Sequence, residues 1–283
     1  MKKVWFITGA SQGLGLVLAQ QLLQANYRVA ATTRDKAALE QAVGTYDSES
    51  FLALALDITD DAAVKQAMEA TVAHFGRVDV LVNNAGYGLL GALEELSETE
   101  VHRNFDVNVY GLLHVIRHGL PYLRTQGSGH IFNIASVGGF TGKFPGFGVY
   151  CATKFAVQGL SEALYEEVKP FGVHTTVVSP GYFRTNFLAE SSLHVAKHEL
   201  AAYDNVRQTQ QLHREIDGQQ PGDPQKAAAA VIKIAEHPEP PLHLFLGADA
   251  YQYAKQKMND LQQEMRSFEE MATATNFDSV VEQ

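Results

Sequence analysis

Cysteine and long apolar segments are both scarce in this sequence. Its 283 residues include a single cysteine, Cys151, which excludes an internal disulfide and a cysteine-rich metal site. No apolar run approaches the roughly 18 residues of a membrane-spanning helix. The run at residues 4–7 ends after four residues, well short of the roughly 7–15 apolar residues of a secretory signal. We therefore expect a cytoplasmic protein.

Basic residues are also in short supply. There are 22 lysines and arginines against 32 aspartates and glutamates, which gives a net charge of −10. This balance argues against binding to the phosphate backbone of nucleic acid or to an anionic membrane surface, although one local basic pocket is compatible with it. With 46% hydrophobic and 19% charged residues, the chain can build a large core and does not have the composition of a disordered protein.

What the sequence does contain is a regular alternation of short apolar runs and longer helical patterns. This alternation is typical of a doubly wound parallel sheet, an α/β fold. No repeat or linker divides the chain, and we expect one domain over residues 1–249. The predicted strands are residues 4–7, 28–33, 51–56, 78–82, 130–135, 173–179 and 242–246, and the predicted helices include residues 14–24, 62–75, 98–120, 152–170 and 224–235.

Two segments depart from this alternation. Residues 187–222 are polar and rich in glutamine, and they show no strand pattern. A long insertion after a late strand is typical of a lid or binding loop, so we interpret it as a lid over the substrate. Residues 250–283 form a C-terminal extension with a helical pattern over residues 250–271. We expect this helix to pack on its own domain; a helix that binds a partner is the alternative.

A glycine-rich turn follows the first predicted strand. Gly9, Gly13 and Gly15 have the spacing G-x-x-x-G-x-G, and a helix begins directly after them. Glycine allows the backbone to approach a ligand closely, and a helix N-terminus offers free N–H groups to a pyrophosphate. The turn therefore predicts a nucleotide site at the first strand–helix junction.

Five motifs in one order resemble the short-chain dehydrogenase/reductase family. They are Thr8-Gly9-x-x-x-Gly13-x-Gly15, Asn83-Asn84-Ala85-Gly86, Ser136, Tyr150-x-x-x-Lys154 and Pro180-Gly181. The resemblance covers about residues 3–247, and the whole chain is similar to the branch with hydroxysteroid- and retinol-dehydrogenase-like bacterial proteins. It implies a seven-stranded parallel Rossmann-type sheet and an oxidoreductase that uses NAD or NADP. It also implies a homodimer or homotetramer built on the helices at residues 98–120 and 152–170.

Tyr150 and Lys154 are four residues apart on one predicted helix, so their side chains share a face. An ammonium about 4 Å from the phenol is worth roughly 4 kcal/mol at an effective dielectric of about 20, which corresponds to about three pKa units. We therefore expect Lys154 to lower the pKa of Tyr150 from about 10 toward about 7, so that the phenol can donate or accept a proton. The resemblance adds Ser136, which would polarise the substrate oxygen, and Asn108, which would hold a water in the proton relay.

The resemblance also assigns a cofactor site. Asp57 corresponds to the family's adenine contact, Thr185 to the residue that contacts the nicotinamide carboxamide, and Lys154 would also bind the nicotinamide ribose. For Asn83, a purely structural role in its turn is the alternative. The expected cofactor-binding residues are Gly9, Ser11, Gln12, Gly13, Leu14, Gly15, Arg34, Asp57, Ile58, Asn84, Ala85, Gly86, Tyr150, Lys154, Pro180, Gly181 and Thr185.

The choice between NAD and NADP depends on the end of the second strand. An acidic residue there would bind the ribose 2′-hydroxyl of NAD, whereas an arginine can bind the 2′-phosphate of NADP. Thr33 occupies the position of the acid, and Arg34 follows it directly. Asp35 either weakens this preference or caps the helix that starts at Lys36. We expect NADP, with NAD as the alternative.

The remaining polar candidates are weaker. The pairs His114/His118 and His194/His198 have the spacing of a two-histidine metal site, but no third ligand accompanies them, and we expect no metal. Cys151 either has a lowered pKa near a helix start or is a small packed residue.

The segments that should surround the nicotinamide are apolar and aromatic. They are residues 87–90 and 138–147, together with Phe187, Leu188, Leu193 and Tyr203 of the insertion. Such a pocket suits a bulky hydrophobic ketone, aldehyde or secondary alcohol. We therefore expect NADP(H)-dependent hydride transfer between the nicotinamide and a small-molecule substrate of this kind. The alternatives are a regulator that senses NADP without turnover, and a family dehydratase or epimerase.

Overall fold

The computed structural model describes residues 2–275 and residue 277, and its centre is a parallel sheet. The strands are β1 (Val4–Ile7), β2 (Arg28–Thr33), β3 (Phe51–Ala55), β4 (Val80–Asn83), β5 (Gly88–Leu90), β6 (Gly129–Ile134), β7 (Val173–Pro180), β8 (Leu193–Val195) and β9 (His243–Leu246). Seven of them form the main sheet in the order β3-β2-β1-β4-β6-β7-β9, and β5 pairs with β8 in a separate sheet. The seven strands expected from the sequence are all present, which confirms the predicted doubly wound fold.

Helices cover both faces of this sheet. They are α1 (Gly13–Gln24), α2 (Lys36–Val43), α3 (Asp61–Phe75), α4 (Glu98–Phe105), α5 (Gly111–Gln126), α6 (Gly148–Val168), α7 (Asp204–Ile216), α8 (Pro224–Ala235) and α9 (Ala248–Thr273). In the described part of the chain, none of these helices combines the length and the apolar character that crossing a membrane requires.

The alternating side chains of the central strand divide the core into two layers. In β1, Trp5 and Ile7 join an apolar cluster with residues of α1 and α8, whereas Val4 and Phe6 join a second cluster with residues of α3 and α5. All four side chains are fully buried. Successive strand residues point to opposite faces, so an uninterrupted apolar run is favourable only where both faces are covered.

The strand order reverses between β1 and β4, which are neighbours in space but not in sequence. At such a reversal the chain leaves the two strands toward opposite faces, and a crevice opens at their carboxyl ends. The glycine-rich turn follows β1, and the turn of residues 83–86 follows β4. The topology therefore brings these two motifs to one edge of the sheet.

The helical stretch predicted at residues 98–120 is helical throughout, but it is not one uniform α-helix. The structure divides this region into α4 and α5, which are joined by a π-helical turn at Asp106–Tyr110. A π-helical turn of five residues contains one extra residue, and this change is too local for the pattern of apolar residues to locate it. Such turns are frequent at functional sites, and Asn108 lies in this one.

The prediction that residues 187–222 contain no strand is also wrong. They include β8, in which Leu193 lies opposite Gly88 and Val195 opposite Leu90 of β5, and they include the helix α7. The buried carboxylate of Glu95 accepts hydrogen bonds from the backbone N–H of Leu200 at 2.8 Å and pairs with Arg207. A three-residue strand is too short for a recognisable alternation, and its pairing depends on β5, about a hundred residues earlier in the chain.

We expected the C-terminal helix to pack on its own domain. Only its N-terminal part does so. Ala250 and Ala254 at its start are buried. Large apolar side chains of this helix are instead exposed, among them Tyr251, Met258, Leu261, Met265 and Phe268. Helical periodicity places these side chains on one face of the helix, but it does not determine whether anything covers that face.

Candidate active site

One cavity of about 360 Å³ opens at the carboxyl edge of the main sheet, and most of the expected site residues line it. Gly15, Asp57 and Asn108 do not. The expected residues that line it are Gly9, Ser11, Gln12, Gly13, Leu14, Arg34, Ile58, Asn84, Ala85, Gly86, Ser136, Tyr150, Lys154, Pro180, Gly181 and Thr185.

The glycine-rich turn places the start of α1 against this cavity. Gly9 has a φ of +65° and lies so close to the next turn that a Cβ on it would approach the Cα of Ala85 to 2.8 Å. Gln12, the residue before α1, makes no side-chain cap, and the first turn of α1 contains no acidic residue. Free N–H groups and the positive end of the helix dipole therefore face the cavity, an arrangement that fits the pyrophosphate of a dinucleotide.

Asn84 and Thr8 fasten the glycine-rich turn to the turn after β4. The Asn84 Nδ2 donates to the carbonyl oxygens of Thr8 and Gly9, each at 2.9 Å. The Thr8 hydroxyl accepts from the backbone N–H of Asn84 at 3.0 Å and of Ala85 at 3.1 Å. A Cβ on Gly15 would collide with the Asn84 side chain. Gly15 is therefore required for packing behind the turn.

Three groups that carry or can carry positive charge line the cavity near the end of β2. Arg34 is exposed there, Arg103 comes from α4 and His194 from β8. Burial and, to a smaller extent, the two arginines lower the pKa of His194. Thr33 donates from its hydroxyl to Ser11 at 3.0 Å. Arg103 was not predicted from the sequence, and His194 was considered only as half of a two-histidine metal pair, because both belong to elements distant from β2 in the chain.

The two acidic residues near this end make local contacts. The Asp35 carboxylate accepts from the backbone N–H of Ala38 at 3.1 Å and caps α2, which confirms the capping interpretation. Asp57 is exposed, and its carboxylate accepts from the backbone N–H of Thr59 at 3.0 Å and from the Thr59 hydroxyl at 2.7 Å. Those hydrogen bonds lower the pKa of Asp57.

Tyr150, Lys154 and Ser136 form the middle of the cavity wall. Tyr150 and Lys154 lie near the start of α6 and are both buried, and Ser136 follows β6. The Lys154 Nζ donates to the Ile134 carbonyl at 2.8 Å and lies 5.9 Å from the centre of the Tyr150 ring. The Ser136 hydroxyl oxygen accepts from the backbone N–H of Gly138 at 3.0 Å. This hydrogen bond leaves the hydroxyl hydrogen of Ser136 free to donate.

The expected fall in the pKa of Tyr150 is wrong. Burial raises that pKa above its ordinary value, and a contact with the Ser136 hydroxyl opposes the increase only in part. Burial also lowers the pKa of Lys154 to about 8. The sequence argument placed a full ammonium charge about 4 Å from an accessible phenol. In the folded chain both groups are desolvated, which favours the neutral form of each.

Asn108 lies behind this wall. Its Nδ2 donates to the Tyr87 carbonyl at 3.0 Å and to the Thr153 hydroxyl at 3.1 Å. Its Oδ1 accepts from the backbone N–H of Tyr87 at 3.0 Å. A Cβ on Gly86 would lie 3.0 Å from this oxygen and 3.4 Å from the Lys154 Nζ. Asn108 therefore fixes the chain beside Gly86 and does not reach the cavity surface.

The far end of the cavity is mostly apolar. Phe144, Phe147, Phe187 and Leu188 line it. The Phe147 and Phe187 rings lie 6.0 Å and 5.7 Å from the Tyr150 ring. Leu193 and Tyr203, which were also expected there, do not line it.

Polar residues line the cavity as well, and three that bear on its chemistry were not predicted from the sequence. They are Tyr182, His213 and Gln220. Tyr182 follows β7, His213 lies on α7, and Gln220 follows α7. Their separation in the sequence offers no signal that they meet.

Cys151 faces the same cavity as a packed residue. Its side chain is buried, and burial raises the pKa of its thiol to about 11. The interpretation as a small packed residue is confirmed, and the alternative of a lowered pKa is wrong.

Comparison with known proteins supplies the family. A family model described as short chain dehydrogenase matches residues 3–196, which is more than half of the chain. The chain belongs to the short-chain dehydrogenase/reductase family. It is an oxidoreductase that acts on a CH–OH or C=O group of a small molecule.

Two relatives show how far the similarity extends. Oxidoreductase BOA17 of Botryotinia fuckeliana is 37% identical over 275 residues, which covers 97% of this chain and 100% of the relative. The 3-ketodihydrosphingosine reductase of Bacteroides thetaiotaomicron is 36% identical over 248 residues, which covers 87% of this chain and 88% of the relative.

Solved structures give the same fold with either cofactor. A short-chain dehydrogenase from Streptomyces avermitilis has 38% identity and a TM-score of 0.89, covering 97% of this chain and 100% of that one. ElxO with NADP bound has 26% identity and a TM-score of 0.74 over 89% of this chain and 100% of its own. A Burkholderia phymatum enzyme in complex with NAD has 25% identity and a TM-score of 0.80 over 93% of this chain and 95% of its own.

Proposed function

We propose that this oxidoreductase uses NADP(H) to reduce the carbonyl group of a bulky hydrophobic small molecule. The observation that carries the proposal is the composition of one cavity wall. This wall runs from the N-terminus of α1, which has no side-chain cap, past Tyr150, Lys154 and Ser136, to a mostly apolar and aromatic end. A dinucleotide and an apolar carbonyl compound could therefore meet beside a proton donor.

The residues present fit a nicotinamide dinucleotide. The start of α1 would bind the pyrophosphate, Arg34 and Arg103 would bind the 2′-phosphate of NADP, and Lys154 would bind the nicotinamide ribose. Thr185 would contact the carboxamide, and Ile58 would flank the adenine. When bound, this cofactor supplies or accepts the hydride at the substrate carbon.

Tyr150 acts as the proton donor in this proposal. Because burial raises its pKa, the phenol remains protonated at neutral pH, which is the form that donates a proton to a carbonyl oxygen. Ser136 donates its free hydroxyl hydrogen to the same oxygen and stabilises the negative charge that develops there. Asn108 would position Tyr87, Gly86 and the neighbouring Lys154.

The preference for NADP over NAD rests on the charges near β2. Arg34 and Arg103 both line the cavity there, and the only acidic neighbour of Arg34 in the sequence, Asp35, caps α2. A carboxylate directed at a helix N-terminus does not oppose a phosphate in the cavity. The guanidinium groups of Arg34 and Arg103 instead favour the binding of a phosphate there.

A cofactor-oxidation screen tests the function directly. Purified protein is mixed with NADPH or NADH and a panel of aliphatic, aromatic and polycyclic ketones and aldehydes, and absorbance at the nicotinamide band is followed. We expect steady oxidation of NADPH with apolar ketones, faster than with NADH. Binding of NADPH without oxidation by any carbonyl compound would contradict the proposal and favour a nucleotide-sensing role.

We also propose that residues 187–222 act as a lid over the substrate. Phe187, Leu188 and His213 of this segment line the cavity, and α7 buries only Val206, Gln210 and His213. The pairing of β8 and the Glu95–Arg207 ion pair anchor part of the segment, and the remainder, which buries few side chains, opens at low free-energy cost. We expect its amides to exchange with deuterium faster than those of β1, β4 and β6, and to slow when NADPH and a substrate analogue bind.

The helix α8 provides the control for this exchange experiment. It buries Ala227, Ala228 and Val231 in the core and should exchange at the same rate with and without ligands. Protection of residues 187–222 equal to that of the central strands, without any ligand, would contradict the lid.

The assembly state and location complete the proposal. We place the chain in a cytoplasmic homodimer or homotetramer built on α4, α5 and α6. Tyr110 and Phe155 support this interface, because both are large apolar side chains exposed by 53% and 43% in that region. The apolar run at residues 4–7 forms β1, a buried strand of the main sheet. Sedimentation equilibrium tests the assembly, and a monomer mass would contradict it.

A further inference from the structure

Tyr182 and His213 form a hydrogen-bonded pair in the apolar end of the cavity. The Tyr182 hydroxyl lies 3.1 Å from the His213 Nε2, and both residues line the cavity. The His213 ring packs against the Phe147 ring at 4.9 Å, which places it beside the expected substrate. The mechanism proposed above uses neither residue.

The contacts of His213 determine which way this hydrogen bond runs. Its Nδ1 lies 2.7 Å from the Thr209 carbonyl oxygen, which can only accept, so the Nδ1 carries hydrogen. Burial lowers the pKa of His213, which favours the neutral ring and leaves the Nε2 without hydrogen. The Nε2 must then accept, and the Tyr182 hydroxyl donates to it. Burial raises the pKa of Tyr182 to about 12, so this hydrogen stays on the phenol.

Because its hydrogen is committed to His213, the Tyr182 oxygen can only accept further hydrogen bonds. A phenol oxygen has lone pairs left after it donates. The hydrogen-bonded pair therefore presents an acceptor, and no donor, at this point of the cavity wall.

Gln220 supplies a second acceptor: it lines the same cavity and lies two residues before Gly222, whose backbone N–H donates to the Tyr182 carbonyl at 3.0 Å. Its side chain is 1% exposed, and its Oε1 has no hydrogen-bond partner in the described part of the chain. The amide nitrogen lies 3.4 Å from the carboxylate of Asp217, which can only accept and so assigns the nitrogen to that side. A buried acceptor without a partner is unfavourable unless a ligand or water satisfies it.

We propose that Tyr182, positioned by His213, and Gln220 form a subsite that accepts hydrogen bonds from a hydroxyl or amino group of the substrate, remote from the reacting carbonyl. The inference rests on the proposed function, because it concerns the substrate of the same site. It narrows the substrate class from apolar ketones to apolar ketones that carry a second, hydrogen-donating group. A site with buried acceptors discriminates against the analogue that lacks the donor, because the acceptors then remain unpaired.

A matched substrate series tests this subsite. The probes are 2-decanone and the hydroxy-2-decanones that carry one hydroxyl group at successive carbons along the chain. With wild-type protein and NADPH, we expect one or two adjacent isomers to have a kcat/KM about 10- to 100-fold higher than 2-decanone. Equal values for 2-decanone and every isomer would overturn the subsite.

The variant Tyr182→Phe tests whether the Tyr182 hydroxyl causes the preference for the hydroxylated isomer. We expect it to lower kcat/KM for the preferred isomer by about 10- to 100-fold, mainly through KM, and to leave 2-decanone within about two-fold of wild type. Tyr203→Phe is the matched control, because the Tyr203 hydroxyl binds Glu94 and lies outside the cavity. An equal loss on both substrates in Tyr182→Phe would show a packing role and overturn the proposal.

A binding measurement separates failure of the subsite from failure of the proposed function. Calorimetry with Tyr150→Phe protein and NADPH measures ketone affinity without turnover. We expect the preferred isomer to bind about 10- to 100-fold more tightly than 2-decanone, and this difference to vanish when Tyr182→Phe is added. No oxidation of NADPH with any ketone would contradict the proposed function, whereas oxidation with no preference for a hydroxylated isomer would contradict only the subsite.

Discussion

Replacement of Tyr150 by phenylalanine is expected to lower turnover by about 10²- to 10⁴-fold, which is the usual contribution of a general acid or base. The substitution removes the hydroxyl group and keeps the ring that packs against Phe147 and Phe187. The fold and the affinity for NADPH should therefore remain unchanged. The measurement is kcat with the best ketone of the panel, together with the melting temperature and the NADPH dissociation constant.

Two further results decide the outcome for Tyr150. The matched variant Tyr203→Phe, which loses a phenol hydroxyl outside the cavity, should keep wild-type turnover. Tyr150→Phe protein that retains more than about a tenth of wild-type turnover would show that another group transfers the proton.

Replacement of Arg34 by alanine is expected to weaken NADPH binding by about 10- to 1000-fold and to leave NADH binding almost unchanged. A guanidinium offers a planar fork of donors to a phosphate, and each such charge-assisted hydrogen bond is worth roughly 1.5–3 kcal/mol. At about 1.4 kcal/mol per decade, the expected range corresponds to roughly 1.4–4.2 kcal/mol, which is one such bond or two weaker ones. NADH lacks the 2′-phosphate and makes no use of the charge. The dissociation constants of both cofactors, measured by fluorescence titration, give the result.

Alanine variants of two other arginines, one inside and one outside the cavity, provide the controls for Arg34→Ala. Arg103→Ala should weaken NADPH in the same direction, because Arg103 lines the same end of the cavity. Arg117→Ala should change neither cofactor, because Arg117 pairs with Asp61 at 2.9 Å and does not line the cavity. Equal weakening of NADPH and NADH in Arg34→Ala would show a structural role, and a wild-type preference for NADH would show that the cofactor assignment is wrong.

The sequence by itself determined the features that depend on local chain geometry. The apolar runs of the seven strands must be covered on both faces, which specifies a doubly wound sheet. The glycine-rich turn places a free helix N-terminus after β1, and the four-residue spacing of Tyr150 and Lys154 places both side chains on one face of α6. The helix cap made by Asp35 is equally local, because the amide that it binds lies only three residues later in the chain.

Only the tertiary structure decided the features that depend on burial or on contacts between distant segments. The pKa of Tyr150 rises because the folded chain desolvates it, whereas a sequence shows the neighbouring charge and not the burial. The π-helical turn at Asp106–Tyr110 is too short for the pattern of apolar residues to locate it.

The same reason applies to the polar groups that give the cavity its chemistry. Arg103 reaches the cavity beside Arg34, and Tyr182 meets His213 across 31 residues, with Gln220 in the same cavity. Side chains from different elements converge only because the strand order fixes where each element ends. Spacing along the chain determines which residues share a helix or a strand, and packing of those elements determines which residues share a site.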